Sequence, residues 1–102
     1  MSTKGPYATQ AAAGTTQATA AELTAEWVGV TPTVSLAGVV LPEKNRFDEV
    51  MVVNVDTTHT LFVYPRTSGA INGATANSAL ELPPNQGARF RAVDNLNWHA
   101  TF

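Results

Sequence analysis

From Leu23 onward the chain is a succession of short runs of Val, Leu, Phe, Trp and Thr, each stopped by Pro, Gly, Asn or Asp. Nowhere does an apolar pattern at helical spacing persist for about ten residues. Together these features restrict the fold class sharply. Short strands with turn chemistry between them must bury one face each, and with no helix to pack against they do so against another sheet. The expectation is an all-β domain: a single antiparallel β-sandwich of jelly-roll type with about eight strands, or alternatively a small closed β-barrel.

The strands follow from the punctuation. LTAEWVGV (residues 23–30) is stopped by Pro32, and TVSLAGVVL (33–41) contains Gly38 as a bulge or bend. DEVMVVNV (48–55) is apolar on both faces, so it is either central to the domain or covered by another subunit. TLFVYP (60–65) is expected to return antiparallel to it as a hairpin, and Pro65, which lacks an N–H, ends that ladder. Asn72-Gly73 predicts a tight type I′ turn, with Ala70-Ile71 and Ala74-Thr75 as its short arms. SALEL (78–82) places Leu80 and Leu82 inward, and PPNQG (83–87) is a turn whose glycine supplies positive φ. The last two strands alternate. Ala88, Phe90 and Ala92 oppose Arg89 and Arg91; Trp98, Ala100 and Phe102 oppose Asn97, His99 and Thr101.

Residues 8–21, ATQAAAGTTQATAA, carry no charge and no large apolar side chain. They have no stripe with which to anchor a helix. Residues 1–22 are therefore expected to form an extended N-terminal arm, whose TTQATA portion can pair as an edge strand, and residues 23–102 the β domain. The start, MSTKGPYATQ, has no apolar core of a signal peptide, and the apolar runs are far shorter than the ~18 residues of a membrane span.

Charged residues make up 14% of the chain, well below the ~25% of ordinary proteins. A surface covered by Thr, Ser, Asn, Gln and Ala repels other copies weakly, which suits a subunit that packs against neighbours. The net charge of −2 argues against nucleic acid as a partner. With no cysteine, disulfides, thiol catalysis and thiolate metal sites are excluded. The chain shows no His-x-x-x-His, no EF-hand loop, no GxxxxGK[ST] and no GxGxxG, so no metal or cofactor is expected. His59, with Asp56 and the hydroxyls of Thr57, Thr58 and Thr60, is the nearest approach to a catalytic relay. Within one short connection such groups seldom converge, and an exposed loop histidine is the simpler reading. No catalytic residue is assigned, and the chain is not expected to be an enzyme.

What remains is contact chemistry. Arg89 and Arg91, two residues apart on one strand face, are either the solvent side of an amphipathic strand or a grip for an acidic neighbour. Trp98 is expected in the core, while Trp27, on a face with Ala25 and Gly29, suits close approach of another backbone. The candidate interface residues are Tyr7, Thr16 and Gln17 in the arm, with Trp27, Arg89, Arg91 and His99 in the domain.

Seven stretches carry a family resemblance: TQATA (16–20), VVLP (39–42), VMVVN (50–54), LFVYP (61–65), ING (71–73), LPPNQG (82–87) and Trp98. With these the chain resembles small β-rich virion proteins of tailed phages and prophages. The resemblance implies a capsid decoration or cement protein. Such a protein lies on the capsid exterior, is assembled in the host cytoplasm, binds the major capsid protein where subunits meet, and pairs with itself as a dimer or trimer. It implies neither nucleic acid nor membrane as a partner and carries no active-site residues. The alternative is a tail- or fibre-associated module that reads a host surface glycan, with Trp27 and Tyr64 as its aromatics.

Overall fold

A computed structural model describes residues 8–23, 25, 27–32, 34, 37–42, 49–94 and 96–102. Among them are ten strands and no helix: β1 (Ala8–Ala11), β2 (Ala21–Glu22), β3 (Trp27–Thr31), β4 (Gly38–Val40), β5 (Glu49–Asn54), β6 (Leu61–Tyr64), β7 (Ala70–Ile71), β8 (Leu80–Leu82), β9 (Gly87–Ala92) and β10 (Asn97–Thr101). They form a six-stranded sheet in the order β1-β3-β5-β9-β10-β7 and a four-stranded sheet in the order β2-β4-β6-β8. The all-β expectation holds, and both sheets share one apolar core.

The winding is not that of an antiparallel jelly roll. From β1 to β6 each strand crosses to the other sheet and lies parallel to the strand two before it. This is the coil of a β-solenoid, in which each turn adds one strand to each layer. Core residues therefore stack between coils. Val28 sits beside Val52 in the larger sheet. In the smaller one Val39 sits beside Val63. All four are fully buried. The coil ends at β8 and β9, which turn back antiparallel on β6 and β5. There Val50, Phe90 and Ala100 form a ladder across three strands. Fully burying a side chain of this size stabilises by about 1.5–3 kcal/mol, so these ladders hold the two layers together.

The expected hairpin of residues 48–55 with 60–65 is also absent, because β5 and β6 lie in different sheets. The connection explains why. Asn54 Oδ1 accepts from Asp56 N (3.0 Å), and Asp56 Oδ1 accepts from Thr58 N (2.9 Å). Two overlapping Asx turns carry the chain out of the larger sheet, where a tight reversal would have kept it in. Asn54 itself is fully buried, and its Nδ2 donates to His59 O (2.8 Å), Leu82 O (3.0 Å) and Pro83 O (3.3 Å). One amide thus ties the end of β5 to the end of β8 in the opposite layer.

Other sequence expectations meet mixed outcomes. Asn72 (φ 55°) and Gly73 (φ 72°) both take positive φ, as a type I′ turn requires. Their flanks do not form a hairpin: β7 instead pairs parallel with β10. In the 83–87 turn the positive φ falls on Asn85 (60°), not on Gly87, which opens β9. Phe102, expected on the core face with Trp98 and Ala100, lies beyond the end of β10 and is 71% exposed.

Residues 8–22 are built into the sheets. β1 and β2 are the outer strands of the two layers, and Ala12 is buried. Of the segment expected to form an edge strand, residues 16–20 form the turn between them. Gln10 Nε2 donates to Glu22 O (2.7 Å), which links the layers at this end. Gln17 Nε2 donates to Pro65 O (2.7 Å), Tyr64 Oη donates to Thr15 O (3.1 Å), and Arg66 pairs with Glu22. Residues 1–7, with Tyr7, lie outside the described residues.

Candidate functional site on the outer face of the larger sheet

Strand alternation sends every second side chain of β3, β5, β9 and β10 away from the core. Cross-strand register then sorts these outward residues into rows. One row runs Glu49, Arg91, His99 across β5, β9 and β10. The next runs Trp27, Met51, Arg89, Thr101. A third runs Gly29, Val53, Gly87. Arg89, Arg91 and His99, predicted as contact residues, are therefore brought together on one sheet face, with Trp27 half-buried at its margin.

The electrostatics of this face are unbalanced. Arg89 Nε lies 3.8 Å and Arg91 Nη2 3.5 Å from the same Glu49 Oε2. Among the described residues of this face, two guanidiniums share one carboxylate, in a chain whose net charge is negative. Both arginines are well exposed, at 61% and 73%, so each pair contributes at most about 1 kcal/mol to stability. His99 stands directly opposite Arg91.

Two shallow depressions mark the surface. One, of about 150 Å³, is lined by Arg89, Arg91, His99 and Thr101. The other, of about 240 Å³, is lined by Met51, Gly87, Arg89, Thr101 and Phe102. At Gly87 neighbouring side chains pack close against the backbone: a Cβ there would come within 3.0 Å of Met51 Cε and 3.2 Å of Val53 Cγ2.

The other predicted contacts lie elsewhere. Thr16 is exposed in the 14–20 turn, bonded to Thr19 Oγ1. Gln17 is half-buried, its amide spent on Pro65. Neither reaches the arginine face.

The Asp56–His59 pair is real, with Nδ1 to Oδ2 at 2.8 Å. The hydrogen bond from His59, helped by the Thr58 amide, holds the Asp56 carboxyl well below the usual carboxylate range. Thr58 Oγ1 lies 3.3 Å from that same Nδ1. A hydroxyl–imidazole–carboxylate relay needs the hydroxyl on the opposite ring nitrogen, so this cluster is a turn lock. Among the described residues no group of three or more His, Asp or Glu side chains is placed to hold a metal ion.

Sequence reasoning missed Asn54 and Asn72 as organising residues. Asn72 Oδ1 accepts from Ala100 N (2.8 Å) and Nδ2 donates to Ala100 O (3.3 Å), so the side chain prolongs the β7–β10 ladder where the backbone turns away. A lone Asn in an apolar run (Asn54) and an Asn before Gly (Asn72) are the signals available, and only the second has a local meaning.

Fold and face together define an all-β, two-layer protein with a coil-wound body and a cationic outer sheet face. No protein-family model, curated protein or solved structure matches the chain.

Proposed function

We propose that this chain is a structural protein of a phage particle: a decoration or cement protein that binds the capsid exterior and stabilises contacts between major capsid subunits. The observation that carries the reading is the outer face of the larger sheet, where the well-exposed Arg89 and Arg91 gather with His99. The phage-type motifs of the strands and turns support the same reading. A two-layer β body resists deformation, and a broad face suits adhesion better than turnover. The proposed partners are the major capsid protein and a second or third copy of this chain.

The glycan-reading alternative loses ground on its own residues. Tyr64 is buried beneath the 14–20 turn, its hydroxyl committed to Thr15, and Trp27 is half-buried. An enzymatic role would need a hydroxyl on the free side of His59, and Thr58 is on the other.

Co-sedimentation with empty capsids, together with quantitation of the protein in purified virions, tests the proposal. Stoichiometric incorporation and a lower heat-disruption temperature for capsids lacking the protein are expected. Absence of the protein from particles overturns the reading.

A further inference from the structure

The cationic face is more specific than a patch. Arg89 and Arg91 are alternate residues of one extended strand, so their Cα atoms stand about 6.6 Å apart. That is also the spacing of side chains on one face of any extended peptide laid alongside. Two residues before Arg89 lies Gly87, which with Met51, Arg89, Thr101 and Phe102 lines the 240 Å³ recess. A recess walled in part by Met51 and Phe102, then a cation, then a second cation thus follow one another at a two-residue period along β9.

We propose that the outer face of β5, β9 and β10 binds an extended acidic segment of a partner protein. Two carboxylate side chains two residues apart seat on Arg89 and Arg91, and an apolar side chain two residues further along enters the recess at Gly87. Glu49 is the internal stand-in: its carboxylate holds both guanidiniums at 3.5–3.8 Å, and the incoming carboxylates replace it. Charge complementarity selects the occupant: among the described residues the face carries two arginines to one carboxylate, which suits a short acidic segment, while the protein's overall negative charge opposes a polyphosphate chain. The inference rests on the reading of this face as the docking face and gives the partner its chemistry.

The test uses the full chain and a fluorescein-labelled decapeptide in which Leu, Glu and Glu occupy alternate positions among Thr, Ser and Gly. Fluorescence anisotropy should show saturable binding that weakens as salt is raised. Replacing both Glu of the peptide by Gln should weaken binding about tenfold, as should Arg89→Glu or Arg91→Glu in the protein. Glu49→Gln should tighten binding about two- to fivefold, an effect that a merely structural role for the arginines would not produce. Circular dichroism and urea titration establish that each variant is folded.

Equal affinity for the Gln peptide, indifference to both arginine reversals, or tighter binding of a single-stranded DNA decamer than of the Glu peptide would each overturn the inference. The two proposals fail separately. A wild-type protein that co-sediments with capsids but ignores the peptide sinks only the acidic-segment inference. A protein that binds the peptide but is absent from particles sinks only the capsid reading.

Discussion

Asn54 offers the sharpest test of how the two layers are joined. It is the only buried polar side chain among the described residues, and its amide reaches three carbonyls while its oxygen takes the Asp56 amide. Asn54→Leu keeps the branched outline of the side chain, with bulkier methyl groups, and removes every one of these bonds. The Leu82 carbonyl bond is fully buried and the Asp56 amide bond partly so. Each group left without a partner costs about 1–3 kcal/mol, less for one that water can reach. The gain from a more apolar side chain offsets part of this. A net loss of about 2–4 kcal/mol is expected, a large share of the ~5–15 kcal/mol that holds a domain of this size. Urea titration reads it as a fall in midpoint at unchanged slope. Asn54→Asp sharpens the reasoning, because it retains the acceptor for Asp56 N but aims a carboxylate at three carbonyl oxygens. It should be as damaging as leucine at neutral pH and partly relieved in acid, where the new group regains a proton to donate. A loss below about 0.5 kcal/mol for Asn54→Leu would refute the assignment of Asn54 as the link between layers.

Gly38→Ala should cost about 1–3 kcal/mol by urea titration, because its Cβ would stand 2.7 Å from Tyr64 Cε2, and that ring is held in place by its bond to Thr15 O. Asn72→Ala should remove the side-chain extension of the β7–β10 ladder and cost about 1–3 kcal/mol, seen as lost hydrogen-exchange protection at the Ala100 amide. Asp56 has a depressed folded pKa, so its contribution is present above its unfolded value of about 3.9 and is lost as pH falls through the folded value. Asp56→Asn should therefore destabilise at neutral pH, and its difference from wild type in denaturation midpoint should close in acid. Arg89→Gln combined with Arg91→Gln should leave thermal stability within about 0.5 kcal/mol of wild type, since both side chains are well exposed.

Strand content was legible because it is local. β8, β9 and β10 alternate in sequence, and the structure buries Leu82, Ala88, Phe90, Trp98 and Ala100 while exposing Glu81, Arg89, Arg91 and His99. The arginine face follows directly from that alternation. Sheet membership was not legible, because it depends on whether a connection reverses the chain or carries it across. DTTHT reads as a hairpin loop, and only the paired Asx turns anchored on Asn54 and Asp56 make it a crossing. The stretch 8–22 was misleading for a related reason. Its small residues carry no apolar stripe, yet edge strands in a stacked coil need little more than free backbone groups and room, which Ala and Thr provide. Phe102 went astray because alternation was extended one residue past the last ladder partner, Thr101 with Arg89.

The winding also explains why the contact chemistry collects at one end of the molecule. In the coil, each strand is flanked by the next turn, and its outward residues must permit stacking. Gly29 and Val53 meet that demand, and their row ends in Gly87. β9 and β10 are added after the coil has closed and run antiparallel, and their outward positions carry Arg89, Arg91, His99 and Thr101. Charge is tolerated there at little cost to the fold, and that is where Arg89, Arg91 and His99 stand. A change on this face can therefore alter the surface without disturbing the Val28–Val52 and Val39–Val63 stacks of the core. Stiffness and surface chemistry thus reside in different residues of the same sheet.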